Sequence, residues 1–136
     1  SKQPLFVFKQ LNLGNQEEAP IIASNWFISS EIENPIVILT RDLLYAYWKD
    51  YDYAINYFIF HLFFAMACRR YENEWESIPA FNNSSPHMLM FELKRDYSSE
   101  RWEQLMKMSG IHKLQRYDDY SDLKKSNYCK ILDTYL

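Results

Sequence analysis

The apolar positions of this chain fall into short blocks separated by polar punctuation, and each block has its own period. Leu5-Phe6-Val7-Phe8 is a brief apolar run suited to a buried strand. The polar stretch from Asn12 to Glu18 reads as a loop turning at Gly14, and Ile21 to Ser29, with Trp26, Phe27 and Ile28, as a second strand. Asn34-Pro35 then marks a helix start, with Asn34 as N-cap and proline at the first helical position, where its missing N–H costs nothing. Ile36, Leu39, Leu43, Leu44, Tyr47 and Trp48 recur as on one helical face, and the helix is expected to end near Lys49-Asp50-Tyr51-Asp52.

From Tyr53 to Cys68 the chain is apolar or aromatic on every side except at Asn56 and His61. A helix that is hydrophobic all round must be buried. This run is shorter than the roughly 20 residues a bilayer crossing needs, so it predicts the central helix of a soluble core, buried along most of its length. On such a helix Asn56 and His61 stand about 140° apart and share no face. His61 is then best read as a buried imidazole hydrogen-bonded to backbone or tyrosine.

Arg69 to Glu76 is charged, and Pro79 to Pro86 is a loop rich in asparagine and serine. A short run from Met88 to Leu93 follows. Ser98 or Ser99 caps a helix carrying Trp102, Leu105, Met106 and Met108, which Ser109-Gly110 closes through a C-terminal glycine. The tail has two weak apolar clusters around the charged segment Asp118 to Lys125.

Composition narrows the function classes. The 136 residues suit one domain, and the net charge of −3 with no long basic run argues against nucleic acid. With only two glycines there is no Gly-rich phosphate loop, and two cysteines give neither a metal-ligand spacing nor a disulfide framework. A buried thiol at Cys68 and no leader at the N-terminus fit a reducing, cytoplasmic setting. Aromatic content is high, with four Trp, eleven Tyr and nine Phe, and such rings serve cores and sugar-stacking platforms alike.

Among candidate chemical groups, His112-Lys113 just past a helix end pairs an imidazole able to ligate a divalent metal with an ammonium able to neutralise a diphosphate. The bland reading is an ordinary solvated pair. Asp50-Tyr51-Asp52 spells the Asp-x-Asp of metal-binding sugar transferases, but it lacks the strand before it and reads as a solvated interhelical loop. Asp52 and Asn56, one helical turn apart, are placed to line a cleft. His87 sits in a loop of the kind that carries binding residues.

Four blocks stand in a recognisable order: Asn25-Trp26-Phe27-Ile28; Asn34-Pro35-Ile36 with Arg41-Asp42-Leu43-Leu44 and Tyr47-Trp48; Asn56-Tyr57-Phe58-Ile59-Phe60-His61-Leu62-Phe63-Phe64; and Ser109-Gly110-Ile111-His112-Lys113-Leu114. Pro86-His87 and the closing Ile131 to Leu136 fit the same pattern. Nearly the whole chain resembles the C-terminal half of the capsular polysaccharide synthesis proteins, bacterial glycosyltransferases related to the GT-A-type Asp-x-Asp sugar transferases. The resemblance implies an α/β, helix-rich, GT-A-like fold, of which residues 1–136 are a single domain or part-domain on the acceptor side. It implies transfer of a sugar from a nucleotide-sugar donor to a growing glycan acceptor. A divalent metal (Mn or Mg) would belong to the intact enzyme, with none expected tightly bound to this portion. Family members are longer, and their Asp-x-Asp lies upstream of where this chain begins, so this portion alone is expected to be inactive. The setting implied is cytoplasmic, with room for peripheral attachment at the inner face of the membrane.

Under the resemblance, Asn56 and Asp52 are the catalytic candidates lining the acceptor cleft. Trp26 is a sugar-stacking platform, His112 a metal or diphosphate ligand, Lys113 the diphosphate counter-charge, and His87 a further substrate contact. Asn56 departs from the family pattern, which more often has Asp there; an amide can hydrogen-bond an acceptor hydroxyl but cannot act as base. The rival expectation is a truncated or degenerate, non-catalytic module that binds glycan or protein.

Overall fold

The computed structural model describes residues 4–9, 21–115, 119 and 124–136. The expected loop with its turn at Gly14, and most of the charged segment after Asp118, lie outside the described residues. The described residues are helix-rich with one small antiparallel sheet, and they fall into two compact units, Ser1–Asn83 and Ser84–Leu136.

In the first unit, strand β1 (Leu5–Lys9) pairs antiparallel with β2 (Ala23–Ser30). Leu5, Phe6 and Val7 face Ser30, Ser29 and Ile28, but Lys9 faces Ala23, so β2 bulges between Ile28 and Ala23. Such bulges re-aim side chains, and Trp26 is on this one. Helix α1 (Pro35–Asp50) begins where the sequence places it. The Asn34 side-chain oxygen accepts from Ile36 N (3.1 Å) and Val37 N (3.2 Å), and Pro35 occupies the first turn.

The aromatic run does not form one helix from Tyr53 to Cys68. Helix α2 runs Ile59–Arg70, preceded by an irregular, exposed segment in which Tyr57 is 92% and Ile55 66% accessible. The physical reason is Asn56. Its side-chain oxygen accepts from Phe58 N at 2.7 Å, offering the backbone an alternative to a continuing helix. Within α2 the expected burial holds for Ile59, His61, Phe64, Ala65, Ala67 and Cys68, while Met66 is exposed. Of these, Phe64, Ala67 and Cys68 meet Leu5, Val7, Ala23, Ile36 and Ile78 in one core. A short helix α3 (Glu72–Glu76) follows, and Lys9 ties it back to the sheet, its ammonium donating to the Trp75 and Ile78 carbonyls at 2.8 and 3.2 Å.

The second unit opens with a 3-10 turn (Ser85–His87) running into α4 (Met88–Phe91), then α5 (Ser99–Met108) and α6 (Asn127–Tyr135). Ser98 caps α5 as the sequence suggests. Gly110 does not close it in the left-handed conformation, and a Cβ there would meet open space. Instead Ser109 Oγ donates to the Ile111 carbonyl (2.6 Å) and accepts from Ile111 N (3.1 Å), forming a side-chain-held turn. Leu89, Leu93 and Leu105 form the core, flanked by Trp102, Tyr128 and Ile131. Glu92 is buried yet ionised: Arg101 Nε donates to it at 3.1 Å, and that hydrogen bond holds its carboxyl below the usual range. No helix among the described residues is long and apolar enough to cross a membrane.

Candidate functional site

The residues singled out by sequence divide between the two units. In the first, the end of α1 and the segment after it make an aromatic ledge. The Tyr47 ring stacks on Tyr51 at 4.9 Å and meets Trp48 edge-on at 5.1 Å, while Tyr51 meets Tyr53 edge-on at 6.1 Å. Tyr45, Trp48, Tyr51, Tyr53 and Tyr57 are all exposed, an arrangement that a folding requirement does not explain. The ledge is held in place by the Tyr47 hydroxyl, which donates to the Tyr53 carbonyl and accepts from Ile55 N.

Asp50 ends α1 and Asp52 follows it, both exposed. A carboxylate at a helix C-terminus has the wrong sign for the helix dipole, so Asp50 is not there for helix stability. Because residues 51–58 are not helical, Asp52 and Asn56 are not one helical turn apart. Asn56 Oδ1 is committed to Phe58 N, leaving its exposed amide N–H groups as donors.

Trp26, half-buried on the β2 bulge, stacks on Phe8 at 5.0 Å with ring planes 12° apart. Its indole N–H donates to the Asn83 side-chain oxygen at 3.1 Å, which also accepts from Ser24 Oγ at 3.0 Å. One face and the polar edge of this indole are therefore used within the fold. His61 is buried, as read from sequence: it hydrogen-bonds the Ala23 backbone, and burial lowers its pKa below the usual 6.5. Cys68 is a buried thiol pushed up to about 12 by that burial, and so is no nucleophile at neutral pH. A cavity of about 170 Å³ lies between β2, α1 and α2, lined by Ile28, Val37, Leu44 and Phe60 among others. Its walls offer little to a sugar or a phosphate.

In the second unit, Lys113 N donates to the Pro86 carbonyl at 2.9 Å, which brings the loop after α5 alongside the 3-10 turn that ends at His87. His87, Lys113 and His112 thus gather around buried Pro86, a proximity their spacing in sequence does not disclose. His112 Nδ1 is buried and has no hydrogen-bond partner among the described residues. Burial lowers the ring's pKa, more than its hydrogen bond to the Ser109 backbone raises it, so the imidazole is held neutral near pH 7. A neutral imidazole suits a ligand or acceptor role, and Lys113 would have to supply any charge. Among the described residues no three of His, Cys, Asp and Glu gather to hold a metal ion. Fewer than three such ligands is too few to hold a divalent metal, so these residues do not by themselves fit one.

Sequence reasoning missed the Tyr47 latch, the buried Glu92 with its Arg101 partner, and helix α6. Only α6 had a local signal, Ser126, whose Oγ accepts from Cys129 N as an N-cap.

Neither a curated protein nor a solved structure matches the chain. The family model described as capsular polysaccharide synthesis protein matches residues 1–132, nearly the full length. The chain belongs to the capsular polysaccharide synthesis protein family.

Proposed function

We propose that this chain serves sugar transfer in capsular polysaccharide synthesis, as the acceptor-side part of a GT-A-like glycosyltransferase that uses a nucleotide-sugar donor. The observation that supports this most is the exposed aromatic ledge of Tyr47, Trp48, Tyr51 and Tyr53, with the exposed Asp50 and Asp52 carboxylates in the same stretch of chain. Sugar rings present apolar faces to aromatic rings and hydroxyl edges to carboxylates. Carboxylates in that stretch also favour a glycan over an anionic membrane surface as occupant.

In this reading the ledge seats the acceptor glycan, and the Asn56 amide donates to an acceptor oxygen. Asp52 is the carboxylate that takes the proton as the acceptor oxygen bonds to the sugar carbon and the diphosphate leaves with the electron pair. In the second unit, taken by itself, Lys113 is the counter-charge for a diphosphate, with His112 and His87 as further contacts. Trp26 is the weaker platform, because one indole face is already stacked on Phe8.

The test is saturation-transfer NMR of capsular oligosaccharides on the chain, with Trp48→Ala and Tyr51→Ala as variants. Transfer from the ledge aromatics, lost in both variants, is expected; its absence sinks the reading. The engaged Asn56 oxygen favours a second reading, a glycan-binding module without catalysis. Asp52→Asn in the sugar-transferring protein separates the two, because only the catalytic reading requires turnover to fall.

A further inference from the structure

In the first unit, the apolar cavity of about 170 Å³ lies beside an open strand edge. Glu31 N donates to the Pro4 carbonyl at 3.0 Å, so these two form a hydrogen-bonded pair at the end of the ladder. Such pairs alternate in an antiparallel sheet. Leu5 stands opposite Ser30, Phe6 opposite Ser29 and Val7 opposite Ile28, so the next bonded pair is Phe6 with Ser29. The backbone N–H and C=O groups of Ile28 and Ser30 therefore point away from β1, and no described residue hydrogen-bonds them. Ser29 and Ser30 are exposed, and β2 carries neither the proline nor the charged side chain that commonly blunts an edge.

The cavity adjoins this edge. Ile28 is the sheet's contribution to its described lining and β1 gives none, which puts it on the outer side of β2, facing α1 and α2. Val37, Leu44, Phe60 and Phe64 supply apolar walls. Two polar side chains in the lining are already engaged: the Thr40 hydroxyl donates to the Ile36 carbonyl at 2.8 Å, and the Arg41 guanidinium is held by Asp42. An engineered apolar cavity of about 150 Å³ holds a benzene ring, so one leucine or phenylalanine side chain fits here.

We propose that β2 and this cavity bind an extended peptide, which adds to the sheet at Ile28 and Ser30 and inserts one apolar side chain between β2 and the helices. A peptide backbone offers donors and acceptors at strand spacing beside its anchor, whereas a hydrocarbon chain would leave the outward groups of Ile28 and Ser30 unmet. The β2 of a second copy would bring Ser29 and Ser30 to this edge, and neither is an anchor. Glu31 and Glu33 follow the edge, exposed and in no ion pair with a described residue, and the whole chain carries a net charge of −3. The complementary partner is thus a peptide with lysines flanking its anchor. This site does not depend on the sugar-transfer reading.

The experiment is fluorescence polarisation of a labelled, end-blocked peptide, Lys-Thr-Thr-Leu-Thr-Thr-Lys, with the 136-residue chain. Binding is expected, weakened about tenfold or more when the central leucine becomes alanine and weakened again when both lysines become glutamate. Methylating the peptide's backbone nitrogens one at a time should weaken binding at every second position, the signature of strand pairing. In hydrogen exchange, the Ile28 and Ser30 amides should gain protection from the peptide. Ser30→Pro removes one outward N–H, spares the ladder to β1, and should weaken binding; the methylation series decides the matter even where that variant folds poorly. No binding of the leucine peptide, or methylation effects without the alternation, overturns the proposal. Octanoate that displaces the peptide and leaves Ile28 unprotected overturns it in favour of a hydrocarbon site. A dimer in sedimentation whose Ile28 amide is protected without peptide overturns it in favour of a second copy.

Discussion

The Tyr47 hydroxyl donates to the Tyr53 carbonyl at 2.6 Å and accepts from Ile55 N at 3.1 Å, so one phenol pins the segment between α1 and α2. Tyr47→Phe keeps the ring stack and removes both bonds. Because these bonds are solvent-exposed, the expected loss of stability is at the low end of about 0.5–1.5 kcal/mol. Exchange protection of the Ile55 amide should vanish. Unchanged protection in the variant would mean that the ledge is ordered by stacking alone.

Asn34 is 1% exposed and caps α1 through two backbone amides. Asn34→Ala should cost about 1–2 kcal/mol, toward the upper end for a cap because the freed amides are buried. Asn34→Asp should retain most of the stability. Denaturant midpoints of the two variants check this ordering.

Acid should weaken the fold in a specific window. Burial lowers His61 and His112 below the usual 6.5, so the unfolded chain binds their protons more readily than the native one. Their contribution is fully present above pH 6.5 and is lost as pH falls from there through the depressed native values. Glu92, held down by Arg101, adds a separate loss only below its usual 4.5. His61→Gln should flatten part of the first fall, and adding His112→Gln the rest, in stability measured against pH. A fall of unchanged steepness in the double variant would contradict the assignment.

In the sugar-transferring protein, His112→Ala should reduce turnover by about 10²–10³, the usual loss for one well-placed contact to developing charge. Stability should change by about 1 kcal/mol, since the buried Nδ1 has no partner among the described residues and the ring's hydrogen bond to the Ser109 backbone is worth about 1 kcal/mol net. Melting temperature and turnover measured on the same variant decide between a site residue and a packing residue. Turnover close to that of the parent would remove His112 from the site.

What could be read in advance was what depends on neighbours in sequence. Asn34-Pro35 and Ser98 each spell a helix start within a few residues, and both helices begin there. The burial of His61 followed from its apolar surroundings alone. The start of α2 was misplaced because hydrophobicity counts aromatic rings without asking whether Asn56 will take the backbone for itself. Closure of α5 was assigned to Gly110, while the neighbouring Ser109 hydroxyl does that work. The gathering of His87 with Lys113, and of Lys125 with Tyr97, rests on backbone pairing between segments distant in the chain. No periodicity encodes such pairing.

The inert thiol of Cys68 has a practical consequence. With its proton held until about pH 12 and its sulfur walled in by the first unit's core, it can be alkylated near neutrality only during excursions that open that core. Cys129, half-buried on α6, belongs to the second unit. Mass spectrometry that resolves the two labelled peptides would therefore read Cys68 as a clock for breathing of the first unit, built into the native chain without any introduced probe.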